Sequence, residues 1–319
     1  MLALRKKGQA WPLTRWAALL PALVFFCLFA GQVHAQTTPS GAVVGRTPAL
    51  EPGKTLLSLS AAFGSARDPI RTGLQWRVYQ ERAQADGSHV LVGESNDPTP
   101  AFTIPDGDYV VHVAYGLASA IKRVAAEGKP KVERLQLNAG VLRVKSLLGD
   151  AALPPNRVSL AVYVPDRSGS EARLIVPNAR PGDSLRLPEG NYRVVSTYLD
   201  KDSSGSTGAP GAPPNATNSV VSAELRVETG RLIEANLRHH AATLTLKLVN
   251  SPGAEALANT SFSVLTPGGD VIRELVGAFP SLVLAEGEYV VIVRRDGKTF
   301  QKTFTVQSAL DQDVEVIAK

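Results

Sequence analysis

The chain has one cysteine and one methionine among its 319 residues, 6% aromatics, and almost no surplus of either charge once its start is set aside. Each shortage excludes something. Cys27 lies in an apolar run near the start, so the rest of the chain has no disulfide, no thiol nucleophile and no thiolate to hold a metal. The formal charge of +5 is uneven: Arg5, Lys6, Lys7 and Arg15 stand in a stretch without acids, and beyond residue 35 the count is 30 basic against 29 acidic. That leaves no surplus to release counterions from a polyphosphate, which excludes a nucleic-acid binder held by many phosphate contacts. His-Glu-x-x-His, Gly-x-Ser-x-Gly and Walker-type patterns are absent. What remains, 44% hydrophobic and 20% charged, is the composition of a folded globular chain.

Residues 1–35 read as an export signal. The basic segment precedes an apolar run from Trp16 to Ala30, and Val33-His34-Ala35 puts small residues at the cleavage positions, so cleavage is expected between Ala35 and Gln36. The run is shorter than the roughly 20 residues of a membrane-spanning helix. Contact with a membrane is therefore expected only through an uncleaved leader. Cys27 follows Phe26 rather than a small residue, which speaks against lipid attachment, and no Arg-Arg pair is present in this leader, which favours export unfolded. The expected location is periplasmic or secreted. An exported chain without disulfide staples must be held by its hydrophobic cores.

Internal repetition is the strongest positive signal. Ile104-Pro-Asp-Gly107-Asp-Tyr109-Val-Val111 recurs as Leu187-Pro-Glu-Gly190-Asn-Tyr192-Arg-Val194 and as Leu284-Ala-Glu-Gly287-Glu-Tyr289-Val-Val291, at glycine spacings of 83 and 97. Gln75-Trp76-Arg77-Val78-Tyr79 aligns with Ser159-Leu160-Ala161-Val162-Tyr163 and Ser261-Phe262-Ser263-Val264-Leu265. Each copy opens on an apolar stretch: Leu56–Leu59, Leu142–Lys145 and Leu244–Lys247. The longer second interval contains residues 201–219, a Gly/Ser/Pro/Asn-rich insertion of a kind that cannot pack a core.

Each copy reads as β-structure. Tyr109, Val111, Val113 and Tyr115 alternate onto one strand face, as do Tyr192 and Val194. Turn pairs such as Asp86-Gly87, Gly182-Asp183 and Asp296-Gly297 recur at short intervals, and no stretch carries a convincing helical period. In the repeated element, the glycine supplies a positive-φ turn, the tyrosine ring enters the core, and its hydroxyl reaches a backbone group across the corner. Asp106, Glu189 and Glu286 stand once per copy in this turn and so belong to the corner rather than to a catalytic carboxylate pair.

This element resembles the tyrosine corner of immunoglobulin domains, with Val111, Val194 and Val291 where the cysteine would stand. It is still more similar to the Leu-Pro-x-Gly-x-Tyr-x-Val strand of carboxypeptidase-regulatory-like (transthyretin-like, PEGA-like) bacterial β-sandwich modules. The resemblance covers most of residues 54–319 and implies a seven-stranded sandwich with a non-catalytic accessory role. It implies no ligand.

The remaining chemical candidates are sparse. His89, His112, His239 and His240 have no partners at zinc-ligand spacing; His112 falls mid-strand, exposed or at a sheet edge, and the His239-His240 pair marks a junction between copies. Asp200-Lys-Asp202-Ser-Ser204-Gly205 imitates the opening of a calcium loop, but position 12 is Gly211 and no flanking helices are expected. Ser119-x-x-Lys122 follows directly on a strand and lacks a Lys-Thr-Gly companion. Trp76 matches Leu160 and Phe262 in bulk alone, which assigns it to the core; Tyr79 and Tyr163, on the opposite face, are the better candidates for an exposed contact surface.

The expected fold is all-β: three tandem Ig/transthyretin-like β-sandwich modules after an N-terminal signal peptide. Residues 36–53 form a linker, 54–139 module one, 140–240 module two, and 241–319 module three. Near-absent linkers at Ala139-Gly140 and His240-Ala241 predict a semi-rigid rod. No catalytic, cofactor-binding or metal-ligating residue is assigned. Gly107, Tyr109, Gly190, Tyr192, Gly287 and Tyr289 are structural corners. The expected function is a non-catalytic binding or spacer element in the cell envelope, with an envelope protein or polysaccharide as partner and edge strands available for pairing. The alternative is a periplasmic hydrolase or transferase with a site between modules, built on His239, His240 and the Asp200–Ser204 loop.

Overall fold

The computed structural model describes residues 51–165, 172–201, 216–308 and 310–319. The export leader, nearly all of the 36–53 linker and most of the 201–219 insertion lie outside the described residues.

Apart from one 3-10 turn at Pro155–Arg157, the regular elements among the described residues are strands. Repeat one comprises β1 Lys54–Phe63, β2 Gln75–Ala83, β3 His89–Ser95, β4 Ala101–Pro105, β5 Gly107–Tyr115, β6 Ala118–Ala126 and β7 Lys131–Leu137. Repeat two runs β8 Ala139–Leu148, the short β9 Ala151–Ala152, β10 Val158–Val164, β11 Arg173–Ala179, β12 Ser184–Pro188, β13 Gly190–Leu199, β14 Ala216–Val227 and β15 Leu232–His239. Repeat three runs β16 Ala241–Val249, β17 Thr260–Leu265, β18 Val271–Gly277, β19 Ser281–Ala285, β20 Gly287–Arg295, β21 Lys298–Val306 and β22 Gln312–Ile317.

The three repeats have one topology. A four-stranded antiparallel sheet (β3-β2-β5-β6, β11-β10-β13-β14, β18-β17-β20-β21) faces a sheet built on three strands (β4-β1-β7, β12-β8-β15, β19-β16-β22), to which repeat two adds the short β9 beside β8. In each of these sheets the first strand pairs antiparallel with the strand that leads into the tyrosine corner (β4, β12 or β19) and parallel with the last. Alternation explains the layering. In β5, Tyr109, Val111, Val113 and Tyr115 turn inward against Leu57, Leu59 and Ala61 of β1, closing a core around Trp76. Leu142, Leu160 and Val194 occupy the same places in repeat two, and Leu244, Phe262 and Val291 in repeat three. Each such fully buried side chain contributes about 1.5–3 kcal/mol relative to exposure.

Pairing registers correct two readings. Lys54 opposes Pro105, Ala139 opposes Pro188 and Ala241 opposes Ala285. Leu57, Leu142 and Leu244 are therefore equivalent, so the opening stretch expected from Leu56 is displaced by one residue. With a side-chain period of two, that slip exchanges core for surface: Leu57 is buried whereas Leu56 is half-buried. The same register puts Ala139 in β8, one residue before the expected module boundary, and leaves Asn138 and His240 as single-residue connectors. The insertion is also shorter than its composition suggests. Ala216–Ser219 begin β14, where Thr217 donates to the Tyr198 carbonyl at 2.9 Å and Ser219 is buried. Polar residues pack here because their hydrogen bonds are met inside.

The tyrosine corner has the same geometry three times. Tyr109, Tyr192 and Tyr289 each donate a hydroxyl hydrogen bond of 2.8 Å to the carbonyl four residues back, at Pro105, Pro188 and Ala285. Burial raises all three phenol pKa values, so they remain donors. Gly107 and Gly287 have φ of 150° and 151°, but Gly190 is not in the positive-φ range, so a positive φ is not what all three share. The common factor is proximity: a Cβ at any of the three would lie within 3.9 Å of the tyrosine ring.

Candidate functional site

Candidate chemistry concentrates where repeats meet. In repeat two, Ser146 on β8, Ser196 on β13, Ser219 on β14 and His239 on β15 turn inward and form a closed polar cluster. Ser146 Oγ is 2.9 Å from Ser196 Oγ, Ser196 Oγ is 2.7 Å from His239 Nε2, and Ser219 Oγ is 2.9 Å from His239 Nδ1. The positions equivalent to Ser146, Ser196 and His239 are Ala61, Val113 and Leu137 in repeat one, and Leu248, Val293 and Ala318 in repeat three. Polar atoms thus replace apolar ones at three touching core positions of one repeat. His239 is fully buried, and burial pushes its pKa down to about 4. The Ser196–His239 distance is that of a nucleophile and its base, but a weakly basic imidazole with its second nitrogen facing a serine is poorly suited to take a proton. No substrate reaches a fully enclosed ring, so the cluster is a satisfied polar knot within the core.

Beside it, Asp200 and Arg273 cross from repeat two to repeat three. They are 8% and 4% exposed, with 3.7 Å between charged atoms. The other Asp200 contacts are backbone donors, Val283 N at 3.2 Å and Lys201 N at 2.8 Å, while Arg273 also donates to the Ala216 carbonyl at 3.4 Å. Asp200, expected to open a solvated or calcium-like loop, is instead a buried ion-pair partner; Asp202–Gly205 and Gly211 lie outside the described residues. A third set closes the seam. Asn218 donates to the Tyr289 hydroxyl at 2.8 Å and accepts from Ala285 N at 2.8 Å, so the corner of repeat three is tied to β14.

The junction of repeats one and two uses the same positions with other chemistry. Leu117 N donates to the Arg186 carbonyl at 3.0 Å, where the equivalent pair across the next junction is Asp200 and Val283. Tyr115 and its equivalent Tyr198 each carry a guanidinium over the ring, Arg186 at 5.0 Å and Arg157 at 5.1 Å. The arginine comes from the following repeat in one case and from the same repeat in the other. Gly73, which occupies the position of Arg157, accounts for the exchange: a Cβ there would sit 2.5 Å from the Arg186 guanidinium carbon. Beside it lies an open cleft of about 520 Å³ lined by Phe63, Ala66 and residues 68–72 of repeat one, Tyr115, and the Thr229–Arg231 turn of repeat two.

The other residues singled out from sequence separate. Tyr79 and Tyr163 are half-buried on outer faces of different sheets, opposite Leu91 and Leu174, each 46% exposed. Leu265 opposite Val271 repeats the pair in repeat three, and a register shift interrupts the ladder beside all three. Such irregularities twist an edge strand away from pairing, which disfavours strand addition at β3, β11 and β18. His112 is on β5, between β2 and β6, and so is inside the sheet rather than at its edge. Burial and then Arg77 lower its pKa. His89 is exposed and its Nδ1 is 2.9 Å from the Gln80 carbonyl. Ser119 and Lys122 lie on β6, with Lys122 paired to Glu133 at 2.6 Å. His240 points outward, 3.6 Å from Glu286. Asp106 accepts from Thr55 at 2.9 Å and from Gly128 N at 2.7 Å, and Glu189 accepts from Thr229 at 2.6 Å, so the corner acids tie down neighbouring turns. Among the described residues no group of three or more His, Cys, Asp or Glu side chains gathers to hold a metal.

Ser146, Ser196, Ser219, Asn218 and Arg273 were missed from sequence. The available signal was a comparison of the repeats position by position for polar residues at apolar sites.

Residues 243–318 match the model of the Rhizobiales growth-associated tandem repeat domain. The match covers repeat three. No curated protein matches the chain. Among solved structures, the Bacillus anthracis TIE protein is 15% identical over 84% of this chain and 50% of its own, with a TM-score of 0.23; the chain thus spans about half of that protein. A streptococcal ancillary pilin is 14% identical over 83% of this chain and 99% of its own, TM-score 0.29. The major pilin subunit of Bacillus cereus is 9% identical over 83% and 100%, TM-score 0.22. Among the described residues, no helix is long and apolar enough to cross a membrane.

Proposed function

We propose that the chain is an exported, non-catalytic array of three β-sandwich modules that serves as a binding or spacer element in the cell envelope. The modules follow the strand boundaries, 54–137, 139–239 and 241–319, and their Gly-x-Tyr-x-Val corners support kinship with transthyretin-like, carboxypeptidase-regulatory-like modules. One observation carries the reading: the residues with the most chemical promise are consumed in packing a single repeat or in joining it to its neighbour. His239 and its serines fill a core, Asp200 and Arg273 neutralise each other at a seam, and the acids of the corners bind turns. The match of repeat three to a growth-associated tandem repeat domain is in keeping with an array that works by position and contact. The basic, apolar and small-residue order of the first 35 residues supports export.

The test is fractionation of cells expressing the tagged chain, with N-terminal sequencing, followed by pull-down from envelope extract. A product that begins at Gln36, sits outside the cytoplasm and retains an envelope component supports the reading. Retention in the cytoplasm with the leader intact would refute it.

A further inference from the structure

We infer that the cleft between repeats one and two binds an acidic, uronate-containing polysaccharide, an inference that rests on the envelope-binding reading and names its partner. The cleft of about 520 Å³ is within the range of ligand pockets, and its walls carry the two kinds of group that such a sugar needs. Phe63 is half-buried on this wall and is the ring against which the C–H face of a pyranose can lie; Tyr115 meets it edge to face at 5.3 Å from behind, buried beneath Arg186. Arg71 and Arg231 stand on opposite repeats across the opening, with Thr72 and Thr229 beside them as hydroxyl partners. A guanidinium fork matches a carboxylate in two parallel hydrogen bonds, which is the geometry a uronate offers.

Charge favours an anion. Four guanidinium groups stand at or beside the cleft: Arg71 and Arg231 on its walls, Arg186 stacked on Tyr115, and Arg134 at its margin, where it donates to the Ala66 and Arg67 carbonyls at 2.7 and 2.6 Å. Two carboxylates oppose them, Asp68 on the wall and Glu228, which is 3.3 Å from Arg231. Glu189, behind Thr229, is matched by Arg226 at 4.0 Å. The rest of the exported chain is close to neutral, so this excess is local. The frame is also stiff: Gly64 N and Ile70 N bond to the Leu137 and Ala61 carbonyls at 3.0 and 2.8 Å, which fixes both sides of the loop that carries Arg67 and Arg71. A preformed site loses little on ordering.

The test uses the chain from Gln36 to Lys319 and calorimetric titration with tetragalacturonate and tetramannuronate, neutral galactotetraose, and polyacrylate as an anion without sugar rings. Binding of a uronate at least about tenfold tighter than of galactotetraose or polyacrylate is expected. Arg71→Ala, at an exposed loop position, should weaken it about tenfold or more with the melting temperature unchanged, whereas Arg294→Ala on repeat three should leave it intact. Equal binding of polyacrylate, or equal losses in the two variants, would overturn the site in favour of diffuse charge. If no uronate binds while the same protein still retains an envelope component, the cleft assignment fails and the broader reading stands.

Discussion

Acidification should loosen repeat two before the others. His239 is held neutral in the core, with its pKa pushed to about 4 from an ordinary 6.5, chiefly by burial. The unfolded chain therefore takes up a proton on this ring at a higher pH than the folded chain does. Stability from this group is complete above about pH 6.5, declines as the pH falls toward 4, and is then fully lost; the depression corresponds to about 3 kcal/mol. Trp76, the one tryptophan beyond residue 35, reports on repeat one alone, so the measurement is hydrogen exchange resolved by peptide, comparing the opening free energy of β13 and β15 with that of β5 and β20. The control restores the core of repeat one: Ser146→Ala, Ser196→Val and His239→Leu together reproduce Ala61, Val113 and Leu137. Subtracting the two profiles removes the contribution of His112, whose pKa is lowered in the same direction, and of carboxylates that titrate lower. A wild-type profile that runs parallel to that of the triple variant between about pH 7 and 4 would refute the reasoning.

The buried ion pair should be costly to halve and cheap to remove whole. Asp200→Ala, which leaves the Arg273 charge enclosed, is expected to cost about 3–5 kcal/mol, whereas Asp200→Leu with Arg273→Met should come close to neutral; a double-mutant cycle by thermal unfolding reads both. The tyrosine corners should be unequal. Tyr192→Phe forfeits one hydroxyl bond, worth about 0.5–1.5 kcal/mol, but Tyr289→Phe also leaves Asn218 without its acceptor and should cost more, by equilibrium denaturation in urea.

Much of this architecture was legible because it is local. A period of two in Tyr109–Tyr115 and a glycine two residues before a tyrosine survive in the sequence whatever their tertiary partners. Trp76 was placed in the core from its alignment with Leu160 and Phe262, and all three are buried. What was misread depends on pairing. Leu56 and Leu57 are both leucine, so only the ladder with Thr103 and Phe102 decides which one faces inward. Asp200 and Ala216–Ser219 have loop composition; Asp200 is enclosed by contacts with Arg273 and Val283 of repeat three, far along the chain, whereas Thr217 and Ser219 are buried against Tyr198 and His239 of their own repeat. The His239 cluster joins four strands whose members are individually ordinary; their unity appears only when three folds are superimposed.

In each repeat the first and last strands lie side by side and run the same way, with Leu57 beside Lys131 and Phe63 beside Leu137 in the first. The chain therefore enters at one end of that ladder and leaves at the other, and Asn138 and His240 pass it on with no slack. A pull on the two termini loads those hydrogen bonds lengthwise and together, in shear, rather than unzipping them one by one. Such an arrangement resists tension better than one whose bonds part in sequence.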